Sequence, residues 1–220
     1  PEADPVAAAP SPWLDYFSTV AGDYARYRPS YPAELFEYLA QRCGPTQLAW
    51  DCATGNGQAA VALAGHFERV WATDASAQQI AQAQPHPRVE YHCAQAQSSG
   101  LAAASVDLVS VAQALHWFPL SAFYAEVKRV LRPGSWLAVW SYATLTVADA
   151  AVNAWVDHFY NHTLEPYWSP QRRWVEEGYR SLDFPFAEAT APAFAMQRDW
   201  DLPTLAGYLS TWSATEKYRQ

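Results

Sequence analysis

Apolar positions along the chain fall into short runs whose spacing switches between two periods. Gln47 to Cys52, Val70 to Thr73, Arg88 to Cys93, Val106 to Ala112 and Ser135 to Tyr142 read as five strands, the third alternating and the fourth a buried run. The helical period appears between and before them. Pro32 to Cys43 puts Leu35, Phe36, Leu39 and Cys43 on one stripe, with Pro in the first turn and Gly44 as the stop. Gly57 to Phe67 predicts a second helix, and Ser76 to Gln84 a third, capped by Ser76 and halted by Pro85. Pro119 to Leu131 predicts a fourth, with Phe123, Val127, Val130 and Leu131 inward, before an Arg132-Pro133-Gly134 turn. Such alternation implies an α/β fold: a doubly wound, mostly parallel sheet with helices on both faces. Residues 148–190 break the rhythm with an aromatic helix (Trp155, Phe159, Tyr160) and a Pro-punctuated stretch, read as a C-terminal aromatic-rich insertion that forms a lid over the carboxyl edge of the sheet. Ala193 to Trp200 reads as a sixth strand and Pro203 to Trp212 as a final helix.

Length and composition narrow this picture. A chain of 220 residues, half of them apolar, suits a single α/β domain over 13–220, with an Ala- and Pro-rich leader over 1–12 expected to be disordered rather than a signal peptide. The net charge of -8 argues against a nucleic-acid partner, and no apolar run is long enough to span a membrane. Three cysteines (Cys43, Cys52, Cys93) without ligand spacing suggest buried thiols in a reducing, cytoplasmic setting and no metal site. The 11 Trp and 13 Tyr are many, so several must line a pocket.

The candidate chemistry begins at Asp51-Cys52-Ala53-Thr54-Gly55-Asn56-Gly57, a strand end, tight turn and helix start. Asp74 ends the next strand, where a carboxylate can accept hydrogen bonds from ribose hydroxyls. Together these predict a small adenosine-type cofactor. Gly55 to Ala60 also satisfies the G-x-G-x-x-A of dinucleotide-binding proteins, so an NAD-type oxidoreductase is one alternative. Asp51 weighs against it, because a carboxylate there repels a pyrophosphate and attracts the ammonium of a methionine moiety.

In these features the sequence resembles the class I S-adenosylmethionine-dependent methyltransferases, in particular the type 11 family. Asp51-x-Ala53-x-Gly55-x-Gly57 is similar to the family's first motif, with Ala53 in place of its first Gly; Val106-Asp107-Leu108-Val109 and Leu131-Arg132-Pro133-Gly134 are similar to two later ones. Tyr24-x-x-Tyr27-Arg28-Pro29-x-Tyr31-Pro32 and Gln113-Ala114-Leu115-His116-Trp117-Phe118 resemble hallmarks of the trans-aconitate-methyltransferase-like subgroup. The resemblance implies that Asp51, Ala53, Gly55, Gly57, Asp74, Ala75, Gln95, Ala96, Ala112 and Gln113 surround S-adenosylmethionine, and its product S-adenosylhomocysteine. It also implies a seventh strand that is not legible before Gln220, so the natural chain is expected to extend further.

Arg28, in its aromatic setting, is expected to clamp a carboxylate of cofactor or substrate. Tyr24, His116 and Trp117 are expected to line the acceptor pocket, and His116 is the candidate catalytic base if the acceptor needs one. Arg172-Arg173 reads as a solvated charge pair. The function expected is methylation of a small molecule, at a carboxylate or hydroxyl oxygen, by a monomer or homodimer. A cofactor-binding protein without turnover, serving as a regulator or scaffold, is the alternative from another class.

Overall fold

The structure, a computed structural model, describes residues 27–142 and 144–220. The expected leader, and Tyr24, lie outside the described residues.

Five strands form one sheet: β1 (Leu48–Cys52), β2 (Arg69–Asp74), β3 (Val89–Cys93), β4 (Val106–Ala112) and β5 (Leu131–Trp140). Their order is β3-β2-β1-β4-β5, and every pairing is parallel. β1 and β4 are neighbours in the middle of the sheet, buried on both faces, so even the polar Asp51, Asp107 and Ser110 in them are buried. On one face α1 (Ala33–Cys43) and α2 (Gln58–Leu63) pack over Ala49, Ala72 and Leu108. On the other, α4 (Leu120–Val130) packs Phe123, Val127 and Val130 against Trp50, Val109 and Val111. α3 (Ala77–Ala81) lies between β2 and β3 in sequence, and the Ser76 hydroxyl caps it by accepting from the Gln79 N–H at 3.3 Å. The expected doubly wound architecture is the one observed, and the α1 stripe is the predicted one.

Four details differ from expectation. α2 stops at Leu63, because the chain turns tightly through Gly65 and His66 to drop Phe67 into the core. The Arg132-Pro133-Gly134 turn lies inside β5: the pairing jumps from Val106–Leu131 to Leu108–Trp136, and the surplus residues bulge out. Residues 193–200 make no strand; the segment has no regular secondary structure and joins no sheet. Cys93 is exposed, unlike Cys43 and Cys52, because β3 is an edge strand.

After β5 the chain builds a third apolar cluster from α5 (Ala150–His158), a π-helical turn (Phe159–Thr163), α7 (Leu202–Ser210) and α8 (Ser213–Arg219), with the short α6 (Arg172–Glu176) preceding α7 in the chain. Val156, Leu164, Leu205, Leu209 and Trp212 form its centre. Among the described residues no helix is long and apolar enough to cross a membrane.

Candidate active site

Strand order reverses between β1 and β4, and in such sheets the crevice at the carboxyl ends of those strands is where ligands bind. Both acids singled out from the sequence are there. Asp51, the fourth residue of β1, is 1% exposed; its carboxylate accepts from the Thr54 hydroxyl at 2.6 Å and from the Ser110 hydroxyl of β4 at 2.7 Å. Burial raises its pKa to about 6 despite those two donors, and the neighbouring charge of Asp74 pushes the same way. Asp74 ends β2 and accepts from the Gly55 N–H at 2.9 Å and the Ser76 N–H at 2.8 Å. Its pKa is also raised, burial outweighing the two backbone donors. Thr54 and Gly55, adjacent in the turn, therefore tie one acid each. The two carboxylates flank a single bend.

The bend demands unusual backbone. Gly55 (φ 57°) and Gly57 (φ 88°) are left-handed, and a Cβ on Gly57 would come 2.1 Å from the Tyr91 hydroxyl. Ala53 is also left-handed at φ 56°, which explains why glycine is the residue this position favours. Gln113, just beyond Ala112 at the end of β4, shares that conformation at φ 58° and donates its side-chain amide to the Tyr142 carbonyl at 3.0 Å. Strained backbone at the ends of both central strands, facing one crevice, marks a site where structure is held for a purpose other than stability. Ala75 follows Asp74 directly, and its carbonyl accepts from the Cys93 thiol. Gln95 and Ala96 lie just past β3, Gln95 exposed and Ala96 packed against the sheet. A buried network fixes their loop: Glu126 of α4 accepts from the Ser99 N–H and hydroxyl and from Arg129. Chiefly the Arg129 guanidinium, and then Ser99, hold the Glu126 carboxyl down at about 2.

Beyond β4 a cavity of about 160 Å³ opens, walled by Gln113, His116, Trp117 and Tyr142 on the sheet side. Tyr160, Trp168 and Arg172 of the 148–190 segment and Tyr208 and Trp212 close the other side. Arg28 reaches it between the two: its guanidinium donates to the Tyr142 hydroxyl at 2.9 Å and the Thr211 carbonyl at 3.3 Å, and lies over the Tyr208 ring. Burial lowers the His116 pKa to about 4, so its imidazole is neutral at pH 7. The Tyr179 hydroxyl lies 3.0 Å from His116 Nδ1. Arg172 is not the solvated cation the sequence suggested. It sits on the faces of Tyr160 and Trp168, with centroids 4.3 and 5.1 Å away, and pairs with Glu176 one turn on. Arg173 lies beside its own neighbour, Trp174.

The structure thus gathers Arg28, His116 and Trp117 at one cavity, and Asp51, Ala53, Gly55, Gly57 and Asp74 at the adjoining bend. Thr54, Ser110, Tyr142 and Tyr179 were not anticipated, and Arg172 was read as a solvated charge. The Arg172–Glu176 spacing was the one available signal, since i and i+4 share a helix face.

Comparison with known proteins gives this geometry a family. A family model described as a methyltransferase domain matches residues 50–139. A Dictyostelium discoideum protein named as a methyltransferase is 34% identical over 208 residues, covering 93% of this chain and 79% of its own. A solved structure from Anaeromyxobacter dehalogenans, named as a type II methyltransferase, is 46% identical with a TM-score of 0.82, over 88% of this chain and 82% of its own. A methyltransferase structure from Aquifex aeolicus shares the fold at 19% identity, with a TM-score of 0.50 over 59% of this chain and 76% of that one. The family decides between the two adenosine cofactors that the glycine turn alone left open: this chain belongs to the class I S-adenosylmethionine-dependent methyltransferases, in the type 11 family.

Proposed function

We propose that the protein transfers a methyl group from S-adenosylmethionine to an oxygen, carboxylate or hydroxyl, of a small molecule. The observation that carries this reading is the cavity past β4, whose walls combine aromatic rings with small polar side chains and two guanidiniums, Arg28 and Arg172. Its size suits a small acceptor rather than a polymer segment. The two narrower motifs of the trans-aconitate-methyltransferase-like subgroup meet there, in Arg28 and in Gln113, His116 and Trp117, which supports placing the chain in that subgroup.

The donor set at the adjoining bend fits the cofactor. Asp74 keeps lone pairs for ribose hydroxyls after accepting from Gly55 and Ser76, and Gln95 with Ala75 and Ala96 would border the adenine. Asp51, with both oxygens engaged by Thr54 and Ser110, would act on the ammonium through its charge and through the turn it holds. Bound S-adenosylmethionine supplies a methyl group already activated by its sulfonium. The chain's task is then to hold the acceptor oxygen roughly 3–3.5 Å from the methyl carbon and keep water out. Arg28 and Arg172 orient an anionic acceptor, and the 148–190 segment serves as the lid. A domain over 13–220, a cytoplasmic setting and a monomer or homodimer complete the proposal.

The test is transfer of labelled methyl from S-adenosylmethionine to a panel of small carboxylic acids, phenols and amines. Label on acids or phenols is expected. Label on amines alone, or S-adenosylhomocysteine binding without label on any acceptor, defeats the proposal, the latter in favour of a regulator or scaffold.

A further inference from the structure

The hydrogen bond between Tyr179 and His116 settles more than position. An imidazole bound at Nδ1 can be donor or acceptor there, and the choice dictates what its other nitrogen presents. Burial keeps the Tyr179 phenol protonated, so its O–H needs an acceptor, and His116 Nδ1 lies 3.0 Å away in position to be that acceptor. Tyr179 is held for this purpose at some cost. Its backbone is left-handed at φ 62°, its N–H donates to the Trp174 carbonyl at 2.7 Å, and its ring packs against the core cluster under α4. Its ring also stacks on the imidazole, with centroids 5.8 Å apart. His116 lines the cavity and Tyr179 does not, which puts the Nδ1 edge behind the wall.

We propose that Tyr179 is a positioning residue that fixes His116 as the Nε2–H tautomer, so that His116 meets the methyl acceptor as a hydrogen-bond donor and not as a general base. The functional half of this statement rests on the cavity being the acceptor site. A donor at that point, with Arg28 and Arg172 around it, favours an acceptor that is already an anion and therefore needs no base: a carboxylate rather than a neutral hydroxyl. An Nε2–H cannot take a proton from a hydroxyl, and burial keeps the ring from charging at neutral pH.

Long-range proton–nitrogen correlation spectra of the full chain at pH 7 read the tautomer directly, with His116 assigned by the signal missing in His116→Gln. A protonated Nε2 and a pyridine-type Nδ1 are expected; a protonated Nδ1, or the averaged pattern of an imidazolium, overturns the proposal. In Tyr179→Phe, which keeps the ring, the two tautomers are expected to mix, and an unchanged spectrum removes Tyr179 from the role. With an acceptor in hand, His116→Gln retains a donor and is expected to raise KM while lowering kcat less than tenfold. A hundredfold loss in kcat marks a general base and overturns the proposal. The spectra stand even if the protein methylates nothing, so failure here is distinguishable from failure of the function proposed above.

Discussion

At the scale of single residues, the two buried groups nearest the chemistry titrate in opposite senses. Unfolded, the Asp51 carboxyl ionises near 3.8; folded, near 6. Between those values the folded state holds the extra proton, so this group's stabilising contribution is full below pH 4 and is lost as pH rises to 6. His116 ionises near 6.5 unfolded and about 4 folded, so across nearly the same window the unfolded state holds the extra proton and stability rises with pH. The two slopes offset one another. Asp51→Asn removes one of the falling slopes, Asp74 keeping its own, so denaturant midpoints measured from pH 4 to 6.5 are expected to climb more steeply than in the wild type. Asp74 makes a separate prediction. Its removal leaves the Gly55 and Ser76 N–H groups without their acceptor and the ribose without its own, so Asp74→Ala is expected to weaken S-adenosylhomocysteine binding more than tenfold, over ~1.4 kcal/mol, by calorimetry. Asp51, Gly55, Gly57 and Asp74 were legible because their spacing is local and tied to one turn. Tyr179 was not: 63 residues separate it from His116, and nothing in its neighbourhood points there.

Among the elements, those predicted most accurately are those whose burial pattern is their own. α1 buries one stripe and β4 buries both faces, so periodicity alone finds them. Residues 193–200 alternate like a strand yet join no sheet, since alternation records which side of a chain is covered and not whether a ladder forms. The bulge in β5 hid for the converse reason: Pro and Gly look like a turn wherever they occur. One contact between elements is close enough to test. Gly207 of α7 lies under the Tyr27 ring, where an added Cβ would sit 2.3 Å from a ring carbon. The clash is with the body of the ring and not a flexible tip, so Gly207→Ala is expected to cost about 1–3 kcal/mol of stability. Equilibrium unfolding measures it, and trimming the ring in the same chain (Tyr27→Ala) is expected to recover most of the loss.

For the whole molecule, the division of labour follows the sheet. The bend and its two acids belong to the half built from β1 to β3 and were readable from motifs. The cavity past β4 draws on Arg28, on the residues after β4, on the 148–190 segment and on α7, parts scattered along the chain, so motifs announced Arg28, His116 and Trp117 but not the residues of the later segments that close it. Arg172 joins that outer segment to the cavity, its guanidinium flat against Tyr160 and Trp168. If it orients an anionic acceptor, Arg172→Ala is expected to raise KM for that acceptor by tenfold or more while leaving S-adenosylhomocysteine affinity within twofold. Steady-state kinetics beside calorimetry separates the two effects.

The placement of β1 beside β4 bears on how the chain is made. Asp51 waits for Ser110, 59 residues later, to supply one of its two donors. At roughly 5–20 residues per second of synthesis, the strand that will become the centre of the sheet spends about 3–12 s with one edge bare. Until then Leu48 to Cys52 offers an unpaired strand edge to any other extended segment, so the interval before Val106 to Ala112 emerges is when mispairing can compete with the native sheet.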